Sequence, residues 1–230
     1  MMAIGIIGAM DEEVERLQTE MTDKVEKETA GSLFIEGMLR GKKVVLLKSG
    51  IGKVNAAVST TILHEQYEIE SVINTGSAGG FAEDLEVGDI VVSDFVTHHD
   101  VDVTAFKYAY GQVPGMPAMY EADTVLVEKA MKAVGSTNAR AAKGIIATGD
   151  SFMQDPERVA LVRSRFPEMI AAEMEAAAIA QVCYKYGTPF VVLRALSDIA
   201  GKESSISFDQ FLPVAAENAA QMIMTMIEAD

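Results

Sequence analysis

The chain has 230 residues, 49% of them hydrophobic and 23% charged, enough for one α/β domain that buries well over half of its unfolded surface. Its 34 acidic against 19 basic residues give a formal charge of −15, a field that repels phosphate backbones and anionic headgroups and so argues against nucleic-acid or membrane partners. One cysteine, Cys183, excludes an intrachain disulfide and suits a reducing, cytoplasmic setting.

The first apolar run, Ala3 to Ile7, reads as a buried strand. The wider stretch from Met2 to Met10 is no signal peptide, because it lacks a basic leader, is broken by Gly5 and Gly8 and ends in Asp11-Glu12-Glu13. A helix is expected over Asp11 to Glu20. Ser32 to Leu39 and Lys43 to Leu47 flank Arg40-Gly41-Lys42, a hairpin signal that makes the sheet mixed. Further strands are expected at Val44 to Leu47, Ser71 to Asn74, Ile90 to Val92, Ala142 to Ala147 and Phe190 to Leu193. Helical periods lie at Val54 to Gln66, Thr124 to Val134, Pro156 to Phe166 and Ala176 to Tyr186, the last holding Cys183 as a packing residue. Asp155 before Pro156 is an N-cap with proline at the first helical position. Ser207 with Gln210 has capping-box spacing, so a final helix is expected from about Phe208 to Glu228. The segment His98 to Tyr120 is the longest irregular stretch and too apolar for a disordered loop, which suggests function or an interface. No run reaches the roughly eighteen apolar residues of a membrane span. The pattern is that of a single α/β domain over residues 1–230, a central mixed β-sheet with helices on both sides.

Three glycine-bearing segments follow strands. Gly5-Ile6-Ile7-Gly8-Ala9-Met10 suggests a nucleotide fingerprint, but the third glycine is missing and Asp11, Glu12 and Glu13 would repel a pyrophosphate at the helix start. Those acids favour the helix dipole, and Glu13 could also turn toward the strand ends. Ser49-Gly50-Ile51-Gly52-Lys53 lacks Walker spacing, and Asn74-Thr75-Gly76-Ser77-Ala78-Gly79-Gly80 offers either a tight turn or close approach of backbone to a ligand. His98-His99-Asp100 with Asp102 is a poor metal cluster, since adjacent ligands on a strand point to opposite faces and His64 is the only other histidine. The strongest signals are acidic. Ala172-Glu173-Met174-Glu175-Ala176 and Arg194-Ala195-Leu196-Ser197-Asp198 each place a carboxylate where an apolar strand should end, on the edge where α/β sheets bind ligands.

These motifs, with Asp102-Val103-Thr104-Ala105-Phe106 and Gly149-Asp150-Ser151-Phe152, occur in one order over residues 3 to 228. In that arrangement the chain closely resembles bacterial 5′-methylthioadenosine/S-adenosylhomocysteine nucleosidases, members of the nucleoside phosphorylase superfamily. The resemblance implies a nucleoside phosphorylase-like fold and hydrolysis of the N-ribosidic bond, releasing adenine and a 5-thio-substituted ribose, with no cofactor and no metal. It further implies that Asp198 is the general acid at adenine N7, with Ser197 orienting it, and that Glu13 is the base for the attacking water, held by Ser77 and Arg194. Glu175 would bind the ribose hydroxyls, with Met174 packed on the sugar. Phe152 would stack on adenine, whose edge is read by backbone at Phe152 and Met153, and Ala78 of the glycine-rich segment would line the same site. Met10, Ile51 and Phe208 would form the alkylthio pocket, completed in a homodimer by the partner's copies of Val103, Phe106 and Pro114. Arg194 could instead be only a structural partner of Glu175, and Phe208 only core.

Two rivals remain open at this point. A phosphorylase of the same fold attacks with phosphate and needs cationic groups to hold it. The resemblance weighs against it, since hexameric relatives carry an arginine where this chain has Asn74. A non-catalytic adenosine sensor would keep the pocket without the three acids.

Overall fold

The computed structural model describes residues 2–135, 140–201 and 204–228, the side chains of residues 204–207 excepted. In chain order the elements are β1 (Ala3–Gly8), α1 (Asp11–Glu20), β2 (Thr22–Thr29), β3 (Ser32–Leu39), β4 (Lys42–Lys48), α2 (Lys53–Gln66), β5 (Ile69–Gly80) and β6 (Ile90–His98). A 3₁₀ turn (Thr104–Phe106) follows, then β7 (Tyr120–Glu121), α3 (Thr124–Val134), β8 (Ala141–Thr148), α4 (Pro156–Arg165), β9 (Met169–Glu173), α5 (Ala176–Tyr186), β10 (Phe190–Ile199) and α6 (Ser204–Glu228).

The apolar runs behave as expected of strands covered on both faces: β1 is buried at every position, and β10 at all but its last. The sheet is mixed. β1 runs parallel to β4 and β5, while β3 and β4 form an antiparallel hairpin in which Leu39 pairs with Lys42 around Arg40 and Gly41, both at positive φ. Asp155 caps α4 by accepting from the Glu157 and Arg158 amides at 2.9 Å, with Pro156 next in line. Cys183 is buried in α5, where loss of hydration pushes its thiol up to about 12.

One strand organises the site. β5 pairs with β10 along one edge from Val72 to Gly80, while its other edge is used first by β1, up to Asn74, and then by β9 at Gly79 and Gly80. The order β10-β6-β8-β9-β5, with β10 returning to β5, closes five strands into a ring from which β1, β4, β3 and β2 continue as an open wing. Where β1 leaves β5 and β9 has not yet joined it, Thr75 to Ala78 keep only their β10 partners in the ladder. Backbone donors on that parted edge face whatever fills the split.

Four expectations need correction. Asn74–Gly80 is no loop, because it forms the second half of β5, whose small residues let β9 and β10 approach on both sides. Ser197 and Asp198 likewise lie within β10 rather than beyond it, the strand running on to Ile199 against Gly79 and Gly80. The final helix starts at Ser204, earlier than the Ser207 cap implies, and the Ser207 side chain is outside the described residues. The irregular segment 98–120 is opened by the last residue of β6 and carries the 3₁₀ turn and the start of β7. Among the described residues no helix is long and apolar enough to cross a membrane.

Candidate active site

The split opens into a cavity of about 370 Å³ lined by residues from both sides of the parted strands and from the start of α6. Each acid on it is held by a local device. Glu13 is the third residue of α1, and its carboxylate turns back over the helix start, where Oε2 accepts from the amides of Ala9 at 2.8 Å and Met10 at 3.3 Å. The exposed helix-end amides and the dipole both favour a negative charge there. Oε1 accepts from the Ser77 amide at 2.9 Å and the Ser77 hydroxyl at 3.2 Å, so the donor released on the parted edge of β5 is spent on this carboxylate. Gly76 makes the approach possible: its φ is +150°, and a Cβ there would lie 2.6 Å from Glu13 Oε1 and 2.5 Å from Arg194 Nη1.

Glu173 and Glu175 have different surroundings. Glu173, at the end of β9, accepts from the Thr148 hydroxyl, the Arg194 guanidinium and the amides of Glu175 and Ala176 at 2.9 and 2.8 Å. Glu175 stands just before α5 and Ala176 opens it, so Glu173 fixes the turn that enters that helix. Glu175 has fewer partners, with Oε1 accepting from the Gly52 amide at 2.9 Å and Oε2 3.8 Å from Arg194 Nη2. Burial pushes its carboxyl up to about 8, the neighbouring Glu173 charge adds to the shift, and Arg194 and the Gly52 amide oppose it. Arg194 is only 1% exposed; it bonds Asn74 Oδ1 at 2.8 Å as well as Glu173 and does not line the cavity. Asp198 is buried in β10, where the Ser197 hydroxyl donates to its Oδ1 at 3.0 Å. A Cβ on Gly79 would sit 3.2 Å from Asp198 Oδ2, so the bare backbone of β5 admits this carboxylate too.

Of the residues expected at the site, Met10, Glu13, Ile51, Ser77, Ala78, Phe152, Met153, Met174, Glu175, Ser197, Asp198 and Phe208 meet on this one cavity. Phe152 is 40% exposed and meets Phe208 edge-to-face, with ring centroids 5.9 Å apart. Its carbonyl accepts from the Gln154 amide, and that of Met153 from the Gly201 amide. Val103, Phe106 and Pro114 do not line the cavity, and Phe106 projects into solvent at 75% exposure. Sequence reasoning missed Ala9, Gly79, Ser151, Ala172 and Asp209 as lining residues and set Glu173 aside, although it lies on the wall beside Glu175. Adjacency to named residues was the only signal available for most of these.

Glu13, Glu173, Glu175, Asp198 and Asp209 line the cavity, and among the described residues no lysine or arginine joins them. The model of the phosphorylase superfamily matches residues 3–228. A 5′-methylthioadenosine/S-adenosylhomocysteine nucleosidase of Oceanobacillus iheyensis is 61% identical over 227 residues, covering 99% of each chain. The chain belongs to this nucleosidase family of the phosphorylase superfamily. The nucleosidase of Neisseria meningitidis, solved in complex with methylthio-immucillin-A, superposes with a TM-score of 0.97 at 46% identity over all of both chains. That of Colwellia psychrerythraea, solved with adenine, gives 0.96 at 51% identity, covering 98% of this chain and 94% of its own. The mixed sheet and single-domain architecture are thus those of the nucleosidases, as the sequence motifs implied.

Proposed function

We propose that the protein hydrolyses the N-ribosidic bond of 5′-methylthioadenosine and S-adenosylhomocysteine, releasing adenine and the 5-thio-substituted ribose. The observation that carries this reading is the cavity itself, which gathers the buried carboxylates of Glu13, Glu173, Glu175 and Asp198 and, among the described residues, offers no cation to an attacking phosphate. A phosphorylase must hold a dianion where it attacks. The side chain at the position where hexameric phosphorylases carry an arginine, Asn74, is instead turned inward, donating to the Ile7 carbonyl and accepting from Arg194.

Bond cleavage develops positive charge on the ribose ring and negative charge on the departing adenine. Asp198 supplies the proton to the base, and Ser197 fixes the orientation of its carboxyl. Glu13, held by two helix-end amides and by Ser77, takes the proton of the attacking water. Arg194 acts on that water only through Glu13, Glu173 and Glu175, since it lies behind the cavity wall. Glu175 accepts from the ribose hydroxyls and places charge beside the cationic ring. Phe152 stacks on adenine, and Met10, Ile51 and Phe208 pack on the alkylthio group. Glu13→Gln keeps the shape of the side chain but not its basicity, and it should lower kcat by about 10²–10⁴. Because its NH2 must face either the Ala9 and Met10 amides or the Ser77 amide, it should also cost about 1–3 kcal/mol of stability. Release of adenine from 5′-methylthioadenosine, followed by chromatography without phosphate, measures it; near-normal turnover would remove Glu13 from its role.

Ile51, expected on the alkylthio group, is 50% exposed, and Phe106 and Pro114 are exposed apolar residues on the segment that follows β6. A homodimer that brings the partner's copies of Val103, Phe106 and Pro114 over Ile51 accounts for both exposures. Sedimentation equilibrium at micromolar protein should give the mass of two chains, and a monomer would contradict it. A single buried thiol fits a reducing, cytoplasmic setting.

A further inference from the structure

The N-cap of α2 is Gly52, which has no side chain to cap the helix and stands at φ +95°, a conformation that residues with a side chain rarely adopt. Yet the Gly52 amide is the contact that holds Glu175 Oε1, at 2.9 Å. The missing cap comes from elsewhere in the chain. Asp150 Oδ1 accepts from the Lys53 amide at 2.9 Å and lies 3.2 Å from where a Cβ on Gly52 would be. We propose that Asp150 is a positioning residue, capping α2 from across the site so that the Gly52 amide stays aimed at Glu175.

Asp150 is itself anchored at both ends. Its amide donates to Asp100 Oδ2 at 3.0 Å, and the same Asp100 carboxylate receives the Lys53 ammonium at 2.6 and 2.8 Å, so the two segments are tied twice. The residues before it are fixed to the site wall, the Gly149 amide donating to the Glu173 carbonyl and the Thr148 hydroxyl to its carboxylate. Gly149 packs under the His99 ring, where a Cβ would come within 2.2 Å of Cε1. The stretch Thr148–Asp150 therefore carries the position of the Glu173 side of the site to the start of α2. A carboxylate at an otherwise uncapped helix start satisfies one of its orphan amides and lowers the freedom of the first turn.

The functional consequence rests on the reading of Glu175 as the group that binds the ribose hydroxyls. Asp150→Ala should lower kcat/KM for 5′-methylthioadenosine about tenfold, chiefly through KM, because an ångström of misplacement at a binding group is enough for such a loss. It should also shrink the preference for 5′-methylthioadenosine over its 2′-deoxy counterpart, whereas Asp150→Asn, which keeps the acceptor oxygen, should restore both. Asp150 is exposed, so truncation leaves no cavity. Asp150→Ser, whose hydroxyl is too short to reach, reports the same loss if the alanine variant fails to fold. Hydrogen exchange of the peptide spanning residues 49–54 gives a readout independent of sugar recognition, faster in Asp150→Ala and Asp150→Ser and unchanged in Asp150→Asn. Unchanged exchange in the truncated variants would overturn the capping role. Normal sugar preference in them, alongside a lost preference in Glu175→Gln, would overturn the positioning role alone. If Glu175→Gln also kept the preference, the reading of Glu175 would fall, and the positioning role with it.

Discussion

Asp198→Asn should reduce adenine release from 5′-methylthioadenosine by about 10²–10⁴, the usual range for a lost general acid. Asparagine matches aspartate in size, its carbonyl can still accept the Ser197 hydroxyl that now bonds Oδ1 at 3.0 Å, and its amide still fits over the bare Gly79 backbone. What it lacks is a proton acidic enough to give to the leaving base. The fold and the binding of adenine should therefore persist while kcat collapses. A leaving group that needs no protonation separates this role from a structural one. With a nitrophenyl 5-methylthioriboside in place of the adenine nucleoside, Asp198→Asn should lose far less activity. Equal losses on both substrates would mean that Asp198 shapes the pocket instead of protonating the base.

Much of this site was legible because its acids break an otherwise apolar pattern. Glu175 and Asp198 stand at the ends of runs that read as buried strands, and a carboxylate in that position is costly unless something holds it. Glu13 was visible as an acid in the first turn of α1, although three acids in a row carried no sign of which one turns inward; that depends on the amides of Ala9, Met10 and Ser77 converging on one point. β2 was not legible at all. Its sequence Thr22–Thr29 is nearly all polar and exposed, as suits an edge strand whose charges discourage further pairing, so it has no hydrophobic period to find. The double use of β5 was hidden for a different reason. A run of small residues fits a turn as well as a strand approached closely on both edges, and only the partners β1, β9 and β10 decide between them. The division of labour between Glu173 and Glu175 depends likewise on contacts distant in the chain, Thr148 and Arg194 for one and Gly52 for the other.

Arg194→Met should be the most destabilising single change at the site, by about 3–5 kcal/mol, because it leaves buried carboxylates without their counter-charge. Arg194 is 1% exposed, bonds Glu173 and Asn74, and lies 3.8 Å from Glu175, so its removal strands two acids at once. Methionine roughly fills the volume of the stem, which keeps the cavity term small and makes the electrostatic loss the dominant one. The loss should depend on pH in a defined direction. Without the guanidinium, the folded-state pKa of Glu175 rises further above the unfolded value, so the variant's stability falls as pH rises from the ordinary carboxylate range through the raised value. Glu175 already sits high, at about 8, with Arg194 in place. Urea unfolding should accordingly show a smaller deficit against the parent protein at pH 5 than at pH 8. A second substitution, Glu173→Gln, removes one orphaned charge while keeping acceptors for the Glu175 and Ala176 amides, and it should return part of the stability when added to Arg194→Met although it costs stability alone. A deficit independent of pH, or no recovery in the double variant, would show that Arg194 stabilises the fold through packing and not through the charges it faces.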